Sequence, residues 1–139
     1  MTTNIRPELS EKNKYWINKH RHYELKHFCL QYPRWKQLYS ELEDPNIPLC
    51  MIDRIPTGNT PGDPTARRAE LKIYYLERIE LVEKLAKEVD PYLHDYILKA
   101  VTESLSYTYL RARLGIPCSR DAYYERYRRF FWLLDKARD

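Results

Sequence analysis

Glycine is scarce in this chain, with three in 139 residues. β-Sandwiches and barrels turn back roughly every ten residues and lean on glycine at those turns, so the scarcity argues against them. Cysteine is scarce as well: Cys29, Cys50 and Cys118 are odd in number and form no CxxC pair. A disulfide framework is therefore not expected, and a reducing compartment is the default. No apolar run is long enough to span a membrane, and the N-terminal MTTNIRPELSEKNKYW lacks the apolar stretch of a signal peptide. The expectation is a soluble cytoplasmic protein. A phosphate-binding loop is missing too, because Gly58 and Gly62 fit no GxxxxGK-S/T pattern and follow no strand.

Tyrosine, by contrast, is plentiful, with thirteen against three phenylalanines. Its wide ring and hydroxyl suit half-buried positions and contact surfaces. The net charge of +4 conceals a polarity. Residues 1–40 hold eight Lys/Arg against three Asp/Glu, residues 41–105 eight against thirteen, and residues 106–138 eight against three. Two basic ends flank an acidic middle, which is compatible with a polyanion partner at either end and equally with mixed solvated charge.

The helical punctuation is clear. Ser10 is placed to cap a helix through EKNKYWINKHRHYELKHFCLQY, with Trp16, His20, Tyr23, His27 and Leu30 at helical spacing and Ile17 and Phe28 beside them. Pro33 should break that run and sit in the first turn of the next helix, whose stripe is Trp35, Leu38, Tyr39 and Leu42. The stretch from Asp44 to Pro64 contains five prolines and reads as an irregular connector, with Leu49, Met51, Ile52 and Ile55 pinned against the helices. Asp63-Pro64-Thr65 then starts a long helix with Ala66, Ala69, Ile73, Leu76, Ile79, Val82, Leu85, Ala86 and Val89 as its apolar positions.

After Asp90-Pro91 come three shorter elements. PYLHDYILKAVTES predicts one helix, with Leu93, Ile97, Leu98 and Val101 buried. Ser106 caps a second, SYTYLRARL, which Gly115 terminates. Ile116 plugs the turn, and Ser119 caps a last, basic helix. This is the layout of a helix-turn-helix, whose last helix lies in the major groove. On that helix Tyr123, Tyr127, Phe130, Leu134 and Ala137 form the expected core stripe, with Arg120, Asp121, Tyr124, Glu125 and Arg128 opposite. Ser119, Arg120, Tyr124 and Arg128 are the expected DNA contacts, and Arg111 and Arg113 on the preceding helix the expected phosphate contacts. Five consecutive apolar residues, FFWLL at 130–134, exceed one helix face and point to packing on the aromatic N-terminal helices or to oligomerisation.

Other chemistries find little support. His20, His22 and His27 lack the spacing of a metal site, and no cysteine pair supplies thiolates. Cys118 sits beside Arg120 at a helix start, which could lower a thiol's pKa, but no histidine is near it in sequence. No catalysis, metal or cofactor is expected.

Tyr32-Pro33-Arg34-Trp35, the G-D-P-T of residues 62–65 and the terminal P-C-S-R-D-x-Y-Y-x-x-Y-R-R-F-F-x-L-L resemble the phage late transcriptional regulators of the ArpU/RinA type, small proteins of Firmicute phages and prophages. The likeness covers most of the chain and is firmest at 62–70 and 105–137. It implies a sigma-region-4-like helix-turn-helix that activates packaging and structural genes in the bacterial cytoplasm, with host RNA polymerase as a partner. Two departures stand out: Ile116-Pro117-Cys118 lengthens the turn, and Arg111 stands where a small residue is usual. The full expectation is an all-α fold in four regions: an N-terminal helical region at 1–43, a proline-rich connector at 44–63, a long central scaffold or assembly helix at 64–89, and a helix-turn-helix module at 90–139. Partners are double-stranded DNA and a second copy of the chain. A phage small terminase subunit is the alternative within DNA binding, and a helical interaction protein that binds no DNA is the alternative outside it.

Overall fold

A computed structural model describes residues 12–52 and 63–138, and among them every regular element is helical. The order is α1 Lys19–Leu30, α2 Tyr32–Glu43, α3 Pro64–Val89, α4 His94–Glu103, a short α5, and α6 Arg120–Ala137. Helix α5 opens as one α-turn, Tyr107–Tyr109, and continues as a π-turn, Leu110–Leu114. A 3₁₀ turn, Leu49–Met51, lies in the connector. The chain divides into two compact units: Met1–Gln31 with Val82–Asp139, and Tyr32–Leu81.

In the first unit α1 packs against α4 and α6, and α4 against the π-turn of α5. The first helix begins later than its periodicity suggests. Ser10 lies outside the described residues, and residues 12–18 form turns and irregular chain instead of a helix. Asn13 explains this locally: its side chain accepts the Tyr15 N–H at 2.9 Å and its carbonyl the Trp16 N–H at 2.9 Å. Asn18 then caps α1 by accepting from the His20 N–H at 2.9 Å. Short amide side chains that bond nearby backbone compete with the helix and favour its ends.

The buried face of α1 also differs from the expected one. His22, Leu25, Phe28 and Cys29 turn inward, while His20, Tyr23 and His27 are exposed. The cause is tertiary. The His22 ring stands edge-on to Phe131 of α6 at 4.8 Å, and Arg138 lies over Phe28 at 3.8 Å. FFWLL finds its partners in the same place: Trp132 meets Tyr15 at 5.5 Å, and Arg21 pairs with Asp135 at 2.7 Å. Phe130, Phe131 and Leu134 are almost completely buried.

In the second unit α2 buries Tyr32, Trp35, Leu38 and Leu42, with Pro33 in its first turn as expected. Arg68 reaches the end of α2, donating to Leu42 O at 2.7 Å, and the connector beyond it, donating to Ile47 O. A cation there offsets the negative end of the helix dipole. In the connector Ile52 is buried, but Met51 is 73% exposed and is not pinned as expected. Ile55 lies outside the described residues. Asp63 starts α3 as predicted, accepting the Thr65 N–H at 3.0 Å.

The first half of α3 turns the other way from its expected stripe. Ala66, Ala69 and Ile73 are exposed, and Leu71 and Tyr75 are buried instead. Tyr75 outweighs the aliphatic pattern because its ring buries more area than two alanines. From Ile79 to Val89 the expected positions are the buried ones.

Candidate nucleic-acid interface

The α5–turn–α6 segment is held by interactions that each follow from a particular side chain. Ser106 accepts the Tyr109 N–H at 3.1 Å and fixes the start of α5. Gly115 ends α5 at φ +65°, a left-handed conformation that glycine adopts without the Cβ penalty. The N–H groups of Gly115 and Ile116 both return to Leu110 O, the latter at 3.1 Å. Ile116 is fully buried beneath the turn. Two longer links close it: the Tyr107 hydroxyl donates to Cys118 O at 2.5 Å, and Arg111 Nη1 donates to Ile116 O at 3.1 Å. Ser119 then accepts the Ala122 N–H at 3.2 Å and opens α6. A turn with this many ties is pre-ordered, so little loop entropy is lost when it meets a partner.

The residues expected to meet DNA divide into three groups. Arg111, Arg113 and Ser119 are exposed. Arg120 and Arg128 are half-buried. The Arg120 guanidinium lies over the Tyr107 ring at 5.2 Å, which orients it, and its Nη1 is buried without a hydrogen-bond partner. Arg128 likewise has a buried Nε without a partner. Tyr124 belongs to the third group and corrects the expectation: it is 9% exposed, within a ring cluster. Its centroid is 4.9 Å from Tyr123 and 6.1 Å from Tyr127, which in turn meets Phe131 at 5.0 Å. Because α1 also covers α6, the buried band is wide enough to take Tyr124 and Phe131, with the half-buried Tyr127 between them, as a second row beside Tyr123–Phe130–Leu134.

Two basic residues prove to be structural, which the sequence did not reveal. Arg126 donates through Nε to Asp90 Oδ2 at 2.8 Å and through Nη1 to Ala122 O at 3.2 Å. Arg129 donates to Val89 O at 3.2 Å. Their partners lie 36 and 40 residues away, beyond any local pattern. The exposed Tyr109 stands two residues from Arg111 and four from Arg113, so this short element offers water a ring and two guanidinium groups.

The remaining chemistry-bearing side chains are quiet. Burial pushes the Cys118 thiol above its ordinary value, outweighing the nearby Arg126 and Arg111 charges. Burial also pushes the Cys29 thiol up to about 12. A thiol shifted this way holds less thiolate, the form that attacks or binds metal. Among the described residues no three His, Cys, Asp or Glu side chains are grouped to hold a metal ion. Among them, too, no helix is long and apolar enough to cross a membrane. No family model matches the chain, and neither does any curated protein or any solved structure.

Proposed function

We propose that the chain is a sequence-specific DNA-binding transcriptional regulator whose reading head is a helix-turn-helix formed by α5, the Gly115–Ser119 turn and α6. The observation that carries this reading is the tied turn: it holds a serine-capped helix start beside Arg111 and Arg120 in a segment rich in arginine. In this reading Arg111 and Arg113 contact phosphates and set the register. The free N–H groups at the start of α6, with Ser119, face a further phosphate. Arg120 reaches a base edge, and Arg128, about 12 Å further along the helix axis, follows the groove. Tyr124 drops out of the contact set. Activation of phage late genes, contact with host RNA polymerase and a place in the bacterial cytoplasm rest on the ArpU/RinA resemblance.

The test is selection of a preferred duplex from a random library, followed by anisotropy titrations over a salt series. Replacing Arg113 with Ala should lower the log–log salt slope by about 1 and weaken all sequences alike, whereas Arg111→Ala also opens the tie to Ile116 O and should relax the sequence preference as well. Replacing Arg120 and Arg128 with Ala should weaken binding and relax the sequence preference. Undiminished binding by all of these variants refutes the assignment and leaves the interaction-protein reading. A closed ring of many copies in solution would favour the terminase alternative.

A further inference from the structure

Helix α3 carries an apolar stripe that the described residues leave open. Ala66, Ala69 and Ile73 are exposed, Leu76 is half-exposed, and Ile73 reaches 58% exposure. At 100° per residue these four fall within a band about 80° wide, opposite the buried Leu71, Tyr75 and Ile79. Their 3–4–3 spacing is that of a coiled-coil seam, with Ala66 and Ile73 at a and Ala69 and Leu76 at d. Ala69, Ile73 and Leu76 of the stripe line a groove of about 420 Å³, bounded on its other side by Tyr39 of α2 and by Arg68 and Lys72 of α3.

The charges beside the seam identify what fits it. In this register Lys72 takes a g position, and Glu70 and Glu77 take e positions. A parallel pair of helices sets each g residue against the following e residue of its neighbour. Lys72 then faces Glu77 of the second copy, and two-fold symmetry repeats the pair. An antiparallel pair would set carboxylate against carboxylate and ammonium against ammonium. Lys72 is available for exchange, because its contacts with Glu43, at 3.8 Å, and with the Tyr39 ring, at 5.9 Å, are both long and 35% of its side chain is exposed. Beyond Leu76 the next a position is Glu80, exposed and like-charged with its own copy, which limits the seam to about three turns.

We propose that this face binds a second copy of the chain, with the two α3 helices parallel and in register over residues 66–76. The surface lies within a single unit and does not depend on DNA binding. Sedimentation equilibrium on the full chain across the micromolar range tests it. The expected result is a reversible dimer that Ile73→Glu converts to a monomer with an unchanged circular-dichroism spectrum, since Ile73 makes no part of the core. Lys72→Glu and Glu77→Lys should each weaken the dimer by about tenfold, and the double reversal should restore it. Ile73→Cys in a Cys50→Ser background should cross-link under mild oxidation, because residue 73 faces residue 73 only in the parallel pair. A wild-type monomer throughout the range, a dimer indifferent to Ile73→Glu, or a double reversal no better than the singles would each overturn the proposal. A dimer whose Ile73→Cys form fails to cross-link would overturn the parallel orientation.

Discussion

Replacing Asp90 with asparagine removes one charge from the junction of α3, α4 and α6. The Asp90 carboxylate accepts from the Tyr92 N–H at 2.8 Å and the Leu93 N–H at 3.1 Å through Oδ1, and from Arg126 Nε at 2.8 Å through Oδ2. Its side chain is 12% exposed and that of Arg126 is 34% exposed. Asparagine keeps the Oδ1 acceptor and sets an amide donor against the guanidinium. A hydrogen bond to a charged group contributes about 1.5–3 kcal/mol, and the partly exposed arginine recovers some of that in water, so the expected cost is about 1–2 kcal/mol. Asp90→Ala also loses the turn bonds and should cost about 1 kcal/mol more.

The pH dependence supplies the sharper test. Burial pushes the Asp90 carboxyl up most strongly, but donation from Arg126, Tyr92 and Leu93 outweighs it and the net shift is downward. A carboxyl lowered in the folded state contributes fully above its unfolded value of about 3.9 and loses that contribution as pH falls through the folded value. Urea unfolding followed by circular dichroism should therefore show wild type ahead of Asp90→Asn at neutral pH, with the two converging in acid. Equal midpoints at neutral pH, or a gap that persists unchanged in acid, would refute the reasoning.

Gly115→Ala should cost about 1–2 kcal/mol by denaturation, all of it from the left-handed backbone, because an added Cβ meets nothing within 4 Å. Ile116→Ala empties a fully buried site and should cost about 2–4 kcal/mol, with DNA affinity falling alongside if the turn positions α6. Tyr124→Phe should leave DNA affinity unchanged at every salt concentration, since the ring is buried; an affinity several-fold weaker with an unchanged fold would return this residue to the interface.

Local punctuation made the helix boundaries legible. Pro33, Asp63-Pro64, Ser106, Gly115 and Ser119 each act on the backbone within five residues, and each stands at a helix end where its chemistry predicts. Facing was less legible, and it failed where tyrosine or histidine was involved. The aromatic pattern of α1 runs through His20, Tyr23 and His27, yet a neighbouring row containing His22 is buried because Phe131 offers it a ring 4.8 Å away. Tyr75 and Tyr124 are buried against the sequence pattern for the same reason: a ring with a polar tip suits either side of a helix, and only the partner decides which.

That ambiguity bears on the arginines as well as the rings. CSRDAYYERYRRFF, residues 118–131, contains four of the arginines that make the C-terminal end basic and compatible with a polyanion partner. Arg126 and Arg129 instead hold the middle of α6 to the residue after α3 and to its end. Arg120 and Arg128 are half-buried, while Arg111 and Arg113 are exposed on α5. If charge count across α5 and α6 set the affinity, Arg126→Ala would weaken DNA binding as much as Arg113→Ala. With Arg126 neutralised by Asp90, its loss should appear chiefly as lower stability, and Arg113→Ala should change the salt slope with stability intact. The two variants, measured for both properties, separate the arginines that build the interface from those that face the ligand.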